Sequence, residues 1–125
     1  MHRILVVEDD PLFREILRIW LVKQGCDVVL ADTLEAAFVN IAAEPLPDAV
    51  LLDIHLGRKN GLTLVHWARG QKRLAHIMIV ALTGDDSLKI AKSIHDAGCE
   101  ACLVKPVDFK TLAEVLSRMR VPSVH

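Results

Sequence analysis

The chain has 125 residues, of which 52% are apolar and 25% charged, and its formal net charge at pH 7 is −1. This length fits one domain, the composition is that of a globular protein, and the near-neutral charge gives no reason to expect nucleic-acid binding. Apolar stretches fall short of the roughly 18 residues that span a bilayer, and three cysteines are too few and odd in number for a disulfide framework. We therefore expect a cytoplasmic protein with no membrane contact.

Five apolar runs, each short enough for a strand, alternate with five segments of helical periodicity. The strands are predicted at 3–7, 26–31, 49–52, 77–82 and 101–104. Such alternation implies an α/β fold with a parallel sheet, because each crossover must be long enough to hold a helix. Continuous apolar strands are typical of a sheet covered by helices on both faces.

The helices are predicted from capping residues and from apolar residues at helical spacing. Asp10-Pro11 starts the first helix and Gly25 ends it; Asp32 with Glu35 resembles a capping box for the second, which Pro45 and Pro47 close; Asn60-Gly61 opens the third; Asp85 or Asp86 caps the fourth, which Gly98 ends; Asp108 caps the fifth. Their predicted inner faces are Phe13, Ile16, Leu17, Trp20 and Leu21; Leu34, Ala37, Phe38 and Ile41; Leu62, Val65 and Ala68; Ile90, Ile94 and Ala97; Phe109, Leu112, Ala113 and Leu116. Residues 121–125 carry no pattern and are expected to form an unstructured tail.

Polar residues follow the predicted strands where a parallel sheet forms its sites, at the carboxyl ends. These residues are Glu8, Asp9, Asp53, Thr83 and Lys105. Two unit charges about 4 Å apart repel by on the order of 4 kcal/mol at an effective dielectric near 20, so three clustered carboxylates need a cation. Oxygen ligands with room for water and phosphate suit Mg²⁺.

An aspartate beside Mg²⁺ is a competent nucleophile toward phosphorus. Asp53 is the candidate because it ends a buried strand and precedes a polar loop. Lys105 and the Thr83 hydroxyl could then stabilise the phosphoryl oxygens.

Together these residues resemble a known family. Glu8-Asp9, Asp53, Thr83-Gly84 and Lys105-Pro106, in this order, resemble the receiver domain of two-component response regulators, over residues 2 to about 120. The resemblance implies a three-layer (βα)5 flavodoxin-like sandwich with strand order 2-1-3-4-5.

The resemblance also implies roles for individual residues. Asp53 would be the phosphoacceptor, and Glu8, Asp9, Asp53 and the backbone carbonyl of His55 would hold Mg²⁺. Lys105 would contact the phosphate and Thr83 would be the switch hydroxyl. A cis peptide bond is expected before Pro106.

The implied function is phosphorelay signalling without turnover of a free substrate. The phosphoryl donor would be a sensor histidine kinase or a phosphotransfer protein, and the surface of helix 4, strand 5 and helix 5 would switch. The output partner, the oligomeric state, including a dimer, and any larger parent protein stay open.

Some positions depart from the family pattern. Cys102 stands where receivers usually have an aromatic switch residue, and Gly57, followed by Arg58-Lys59, stands where proline is common. His55 and Asp85 occupy positions often linked to the lifetime of the phosphorylated state.

Other functions remain as alternatives. The first is a receiver-like interaction module that is never phosphorylated. A flavin-binding protein is less favoured because acids follow the first strand, where a flavin phosphate needs donors. A phosphohydrolase of the haloacid-dehalogenase type needs a second acid where this chain has His55. Cys99 and Cys102 form a C-x-x-C pattern, but at a strand rather than at a helix N-terminus, which disfavours redox chemistry.

Overall fold

The chain folds into one parallel sheet between two layers of helices, and the computed structural model describes residues 1–119. The sheet contains β1 (Arg3–Val7), β2 (Asp27–Ala31), β3 (Ala49–Asp53), β6 (Met78–Thr83) and β7 (Ala101–Val104), and a separate pair contains β4 (His55–Leu56) and β5 (Lys59–Asn60). The helices are α1 (Pro11–Lys23), α2 (Leu34–Ala42), α3 (Leu62–Arg69), α4 (Leu88–Ala97) and α5 (Phe109–Leu116). The predicted tail at 121–125 lies outside the described residues.

The predicted fold is confirmed. The strand order is β2-β1-β3-β6-β7, which is the expected order 2-1-3-4-5 once the short β4–β5 pair is set aside. In this register Val7 pairs with Leu52, Asp53 pairs with Leu82, and Thr83 pairs with Val104. The residues that end or directly follow neighbouring strands therefore lie at the same edge of the sheet.

The core consists of two hydrophobic clusters, one on each face of the sheet. Alternate strand residues point to opposite faces, so Leu5 and Val7 join one cluster while Ile4 and Val6 join the other. Residues of α2, α3 and α4 complete the first cluster, and residues of α1 and α5 complete the second. Within residues 1–119, no helix has both the length and the apolar character needed to cross a membrane.

Two residues predicted to face the core are exposed. Ile16 in α1 is 42% exposed, and Ala113 in α5 is also exposed. The fully buried residues of α1 are Leu17 and Leu21, one turn apart. The buried face of α1 is thus narrower than its set of apolar residues predicts, because the helix packs on the sheet along one line. Apolar residues beside that line remain partly exposed to solvent.

The predicted caps of two helices are wrong by one or two residues. The side chain that caps α2 is Thr33, whose Oγ1 accepts a hydrogen bond from Ala36 N at 3.1 Å, rather than Asp32. The cap of α4 is Ser87, whose Oγ accepts from Ile90 N at 3.3 Å, rather than Asp85 or Asp86. A cap must reach the amide two or three residues ahead, and earlier acids in the loop are too far back.

Replacing Thr33 should therefore destabilise the protein more than replacing its acidic neighbour. We expect Thr33→Ala to lower the free energy of unfolding by about 1 kcal/mol, because Ala36 N loses its acceptor. Urea titration followed by circular dichroism measures the change. Asp32→Ala is the matched control, and an equal or larger loss in that variant would contradict the assignment of the cap.

Candidate functional site

Three polar side chains are buried at the carboxyl edge of the sheet. Glu8, directly after β1, is 0% exposed, Asp53 at the end of β3 is 4% exposed, and Thr83 at the end of β6 is 0% exposed. Buried charges are costly unless they are paired. These two carboxylates therefore need a nearby cation or a proton.

Lys105, directly after β7, supplies that cation. Its Nζ lies 3.1 Å from Glu8 Oε2 and 3.1 Å from Asp53 Oδ2, and it bridges the two carboxylates. The Lys105 amide also donates to the carbonyl of Thr83 at 2.7 Å, which fixes the start of the loop. The peptide bond between Lys105 and Pro106 is cis, as predicted.

A backbone amide holds one oxygen of each carboxylate in the cluster. His55 N donates to Asp53 Oδ1 at 3.0 Å, and Asp10 N donates to Glu8 Oε1 at 3.2 Å. Gly57 N donates to Asp9 Oδ2 at 3.0 Å. These backbone amides thus orient the three carboxylate groups.

The close packing of these charges shifts their pKa values. Burial raises the pKa of Glu8 to about 7, the charge of Asp53 adds to this, and the hydrogen bond from Lys105 opposes it. Burial alone would lower the pKa of Lys105, but the hydrogen bond to Glu8 and the charge of Asp53 outweigh it, so this pKa is raised. Lys105 therefore stays protonated, while Glu8 takes up a proton easily.

The acid cluster fits a hard divalent cation. Glu8, Asp9 and Asp53 each offer a carboxylate oxygen, and these oxygens lie within 4.8 Å of one another. Asp9 is exposed and opens the cluster to solvent, which leaves room for water and phosphate ligands of the kind that Mg²⁺ retains. The role of the His55 carbonyl as a further ligand stays a prediction.

Thr83 connects this site to α4 through a series of hydrogen bonds. Asp85 N donates to Thr83 Oγ1 at 3.0 Å, and Ser87 N donates to Asp85 Oδ1 at 2.8 Å. Ser87 in turn caps α4 at the Ile90 amide. The first turn of α4 is therefore linked to the position of a single buried hydroxyl.

The β4–β5 hairpin beside Asp53 was not predicted. Gly57 has φ +63°, and Gly57 and Arg58 form the two-residue turn between Leu56 and Lys59. Lys59 forms an ion pair with Glu35 of α2. A glycine at the first position of a two-residue turn is a known hairpin signal, but each strand has only two residues, too few for a recognisable pattern.

Cys102 lies in β7 opposite Ala81, and Val104, two residues later, pairs with Thr83. Its side chain is half-buried against the cluster that includes α4. Burial raises the pKa of Cys102, and the pKa of the buried Cys99 is raised to about 12, so both thiols are poor nucleophiles. This disfavours a redox function.

A family model described as the response regulator receiver domain matches residues 4–117. The chain belongs to this family. Receiver domains are signalling modules of two-component systems, and the parallel five-stranded fold described above is that of such a domain.

Response regulators and receiver domains from other organisms are similar to this chain over nearly its whole length. The polar-differentiation response regulator DivK of Brucella ovis is 29% identical over 114 residues, which are 90% of this chain and 91% of DivK. The crystal structure of a response regulator receiver protein from Pseudomonas putida is 29% identical, with a TM-score of 0.85 over 94% of this chain and 96% of that one. The signal receiver domain of a DNA-binding response regulator from Colwellia psychrerythraea is 25% identical, with a TM-score of 0.87 over 94% and 97%.

The raised pKa of Glu8 gives the receiver domain a pH-dependent stability. The unfolded chain loses the Glu8 proton near the ordinary pKa of 4.5, but the folded chain keeps it to about 7. Unfolding therefore releases a proton in this window, and stability falls as pH rises from 4.5 to 7. We expect Glu8→Gln to remove this fall when unfolding is measured by urea titration with a chelator present.

Glu15→Gln is the control for this measurement. The pKa of Glu15 is lowered by its hydrogen bond with Arg18. Its small effect on stability is therefore opposite to that of Glu8, because it increases stability as pH rises through 4.5. A stability difference between wild type and Glu8→Gln that stays constant from pH 4.5 to 7 would contradict the account of Glu8.

Proposed function

We propose that this receiver accepts a phosphoryl group on Asp53 from a phosphohistidine of a sensor histidine kinase or a phosphotransfer protein. The observation that carries the proposal is the Lys105 ammonium group, which lies 3.1 Å from the buried carboxylates of both Glu8 and Asp53. A nucleophilic carboxylate, a second buried acid and a fixed cation at one sheet edge fit phosphoryl transfer, which depends mainly on positioning and charge neutralisation.

In the proposed reaction a carboxylate oxygen of Asp53 forms a bond to phosphorus. The bond from phosphorus to the donor imidazole nitrogen breaks, and that nitrogen keeps the electron pair. The His55 amide holds Oδ1 and Lys105 holds Oδ2, so the carboxylate is oriented before the donor arrives. Such orientation lowers the entropic part of the barrier.

Glu8, Asp9 and Asp53 would hold the Mg²⁺ ion, which neutralises charge on the phosphoryl oxygens when bound. Lys105 would exchange its contact with Asp53 Oδ2 for a phosphoryl oxygen, since phosphorylation converts the Asp53 carboxylate to an acyl phosphate whose negative charge lies on the phosphoryl oxygens. Its raised pKa keeps the ammonium charged for this contact.

Thr83 is the proposed link between phosphorylation and the outer surface. Donation of this hydroxyl to a phosphoryl oxygen would draw Thr83 Oγ1 toward Asp53, which would change its hydrogen bond from Asp85 N and so the loop that leads into the α4 cap. Contacts of Thr83 and Lys105 with the phosphoryl group, at roughly 1.5 to 3 kcal/mol each, are of the order of the 5.5 kcal/mol that moves a two-state equilibrium from 1:99 to 99:1. The surface of α4, β7 and α5 would switch.

Cys102 affects how the change at Thr83 would be transmitted to the surface of α4, β7 and α5. A receiver with a small residue here needs no ring to be displaced when Thr83 moves inward. The hydrogen-bonded connection from Thr83 through Asp85 to Ser87 is then the route that the structure supports best for the signal.

The alternatives have weaker support. In a flavin-binding protein the first strand-to-helix loop must receive a phosphate, but here Glu8, Asp9 and Asp10 follow β1, and Asp10 already accepts from Leu12 N at 3.1 Å. In an interaction module that is never phosphorylated, the pairing of Lys105 with two buried acids would have only a structural role. The family match over 4–117 supports a receiver domain over 2–120. We also propose a cytoplasmic location, where the receiver would meet a phosphohistidine donor.

Acetyl phosphate with Mg²⁺ tests the proposal directly. We expect the intact mass of the wild type to increase by one phosphoryl group, and we expect no increase after Asp53→Asn, because the nucleophile is lost. Asp86→Asn, an exposed aspartate at the same edge, is the control and should be modified like the wild type. A wild type without a mass increase would favour the interaction module.

Removing the hydroxyl of Thr83 should separate phosphorylation from the change in α4. We expect Thr83→Val to accept the phosphoryl group while the amide resonances of Ser87 and Ile90 stay in place, because the connecting hydroxyl is missing. Amide chemical shifts before and after phosphorylation measure this. Thr83→Ser keeps the hydroxyl and should shift these resonances as the wild type does; equal shifts in Thr83→Val would refute the route.

A further inference from the structure

Phe13, in the first turn of α1, lies next to the same ammonium group. Lys105 Nζ is 5.1 Å from the centroid of the Phe13 ring, within the range of a cation–π interaction. From the sequence, Phe13 reads only as a residue of the buried face of α1. In the structure it is half-buried and contributes to the core cluster of that face.

The fold explains why an aromatic residue from α1 reaches this edge. Glu8 directly follows β1, the Asp10 carboxylate caps α1 by accepting from Leu12 N, and the helix starts at Pro11. The first turn of α1 is therefore beside the carboxyl edge of the sheet, where Lys105 arrives from the opposite end of the chain.

Unlike the two carboxylates that Lys105 contacts, the Phe13 ring would keep the same interaction with Lys105 during phosphoryl transfer. Glu8 and Asp53 change partners in the proposed reaction: Asp53 becomes an acyl phosphate, and Glu8 shares its charge with the metal. The face of Phe13 carries partial negative charge but has no lone pair for a metal, and it does not repel a phosphoryl group as a carboxylate would. Its attraction for the ammonium group therefore persists through the reaction.

We propose that Phe13 is a positioning residue for phosphoryl transfer, which holds the Lys105 ammonium group over the acid cluster by a cation–π interaction while the carboxylates change partners. This inference rests on the proposed function. Phe13 acts through Lys105 and does not touch the phosphoryl group.

The test is a series of fluorinated phenylalanines placed at position 13, since fluorine weakens the negative face of the ring with little change in size. The initial rate of phosphoryl uptake from acetyl phosphate with Mg²⁺ should fall with each added fluorine, by about two- to fivefold over the series. Phe13→Leu should slow uptake similarly, and Phe13→Trp should keep it near the wild-type rate.

The same fluorinated residues at Phe38 are the control. Phe38 packs edge-on against Trp67, with ring centroids 5.3 Å apart, on the other face of the sheet, and uptake should not depend on its fluorination. Unfolding by urea checks that each variant is folded.

If the rate of phosphoryl uptake does not change with fluorination at position 13, the inference is overturned, even if Phe13→Leu is slow. Phe13 would then have only a packing role. A wild type that takes up no phosphoryl group would instead overturn the proposed function, and the inference with it. The two failures are thus distinguishable.

Discussion

The structure depends on one ammonium group that bridges two buried carboxylates. Lys105 is 97 residues from Glu8 and 52 from Asp53 in the sequence, and it contacts both. Breaking a buried ion pair by removing one partner typically costs about 3 to 5 kcal/mol, because the other charge remains without compensation. The close approach of these charges is therefore costly, and the rest of the fold must hold them in place. A divalent cation or a phosphoryl group would redistribute the charge of the cluster.

The parallel sheet makes this arrangement possible. Each strand runs in the same direction, so the residues that end or follow β1, β3, β6 and β7 meet at one edge, while apolar residues before them anchor the strands between two layers of helices. Glu8, Asp53, Thr83 and Lys105 are thus positioned by core packing that lies away from the chemistry. The backbone amides of His55, Asp10 and Gly57 then orient the acids.

Much of this could be predicted from the sequence, because strands and helices leave strong periodic signals and because the polar residues stand at the ends of apolar runs. The strand order and the cis bond before Pro106 came from the family resemblance and are confirmed. Details that depend on a few local hydrogen bonds were missed: the caps at Thr33 and Ser87, and the β4–β5 hairpin. The contact between Phe13 and Lys105 joins residues far apart in sequence, and a core aromatic gives no signal of such a partner.

The central claim is that Asp53, rather than another acid of the cluster, carries the phosphoryl group. Borohydride reduces an aspartyl phosphate to homoserine, so the modified position can be read by peptide mass spectrometry after phosphorylation. We expect homoserine at position 53 alone, and only when Mg²⁺ is present. Homoserine at position 9 or 10, or a phosphoryl group on His55, would contradict it.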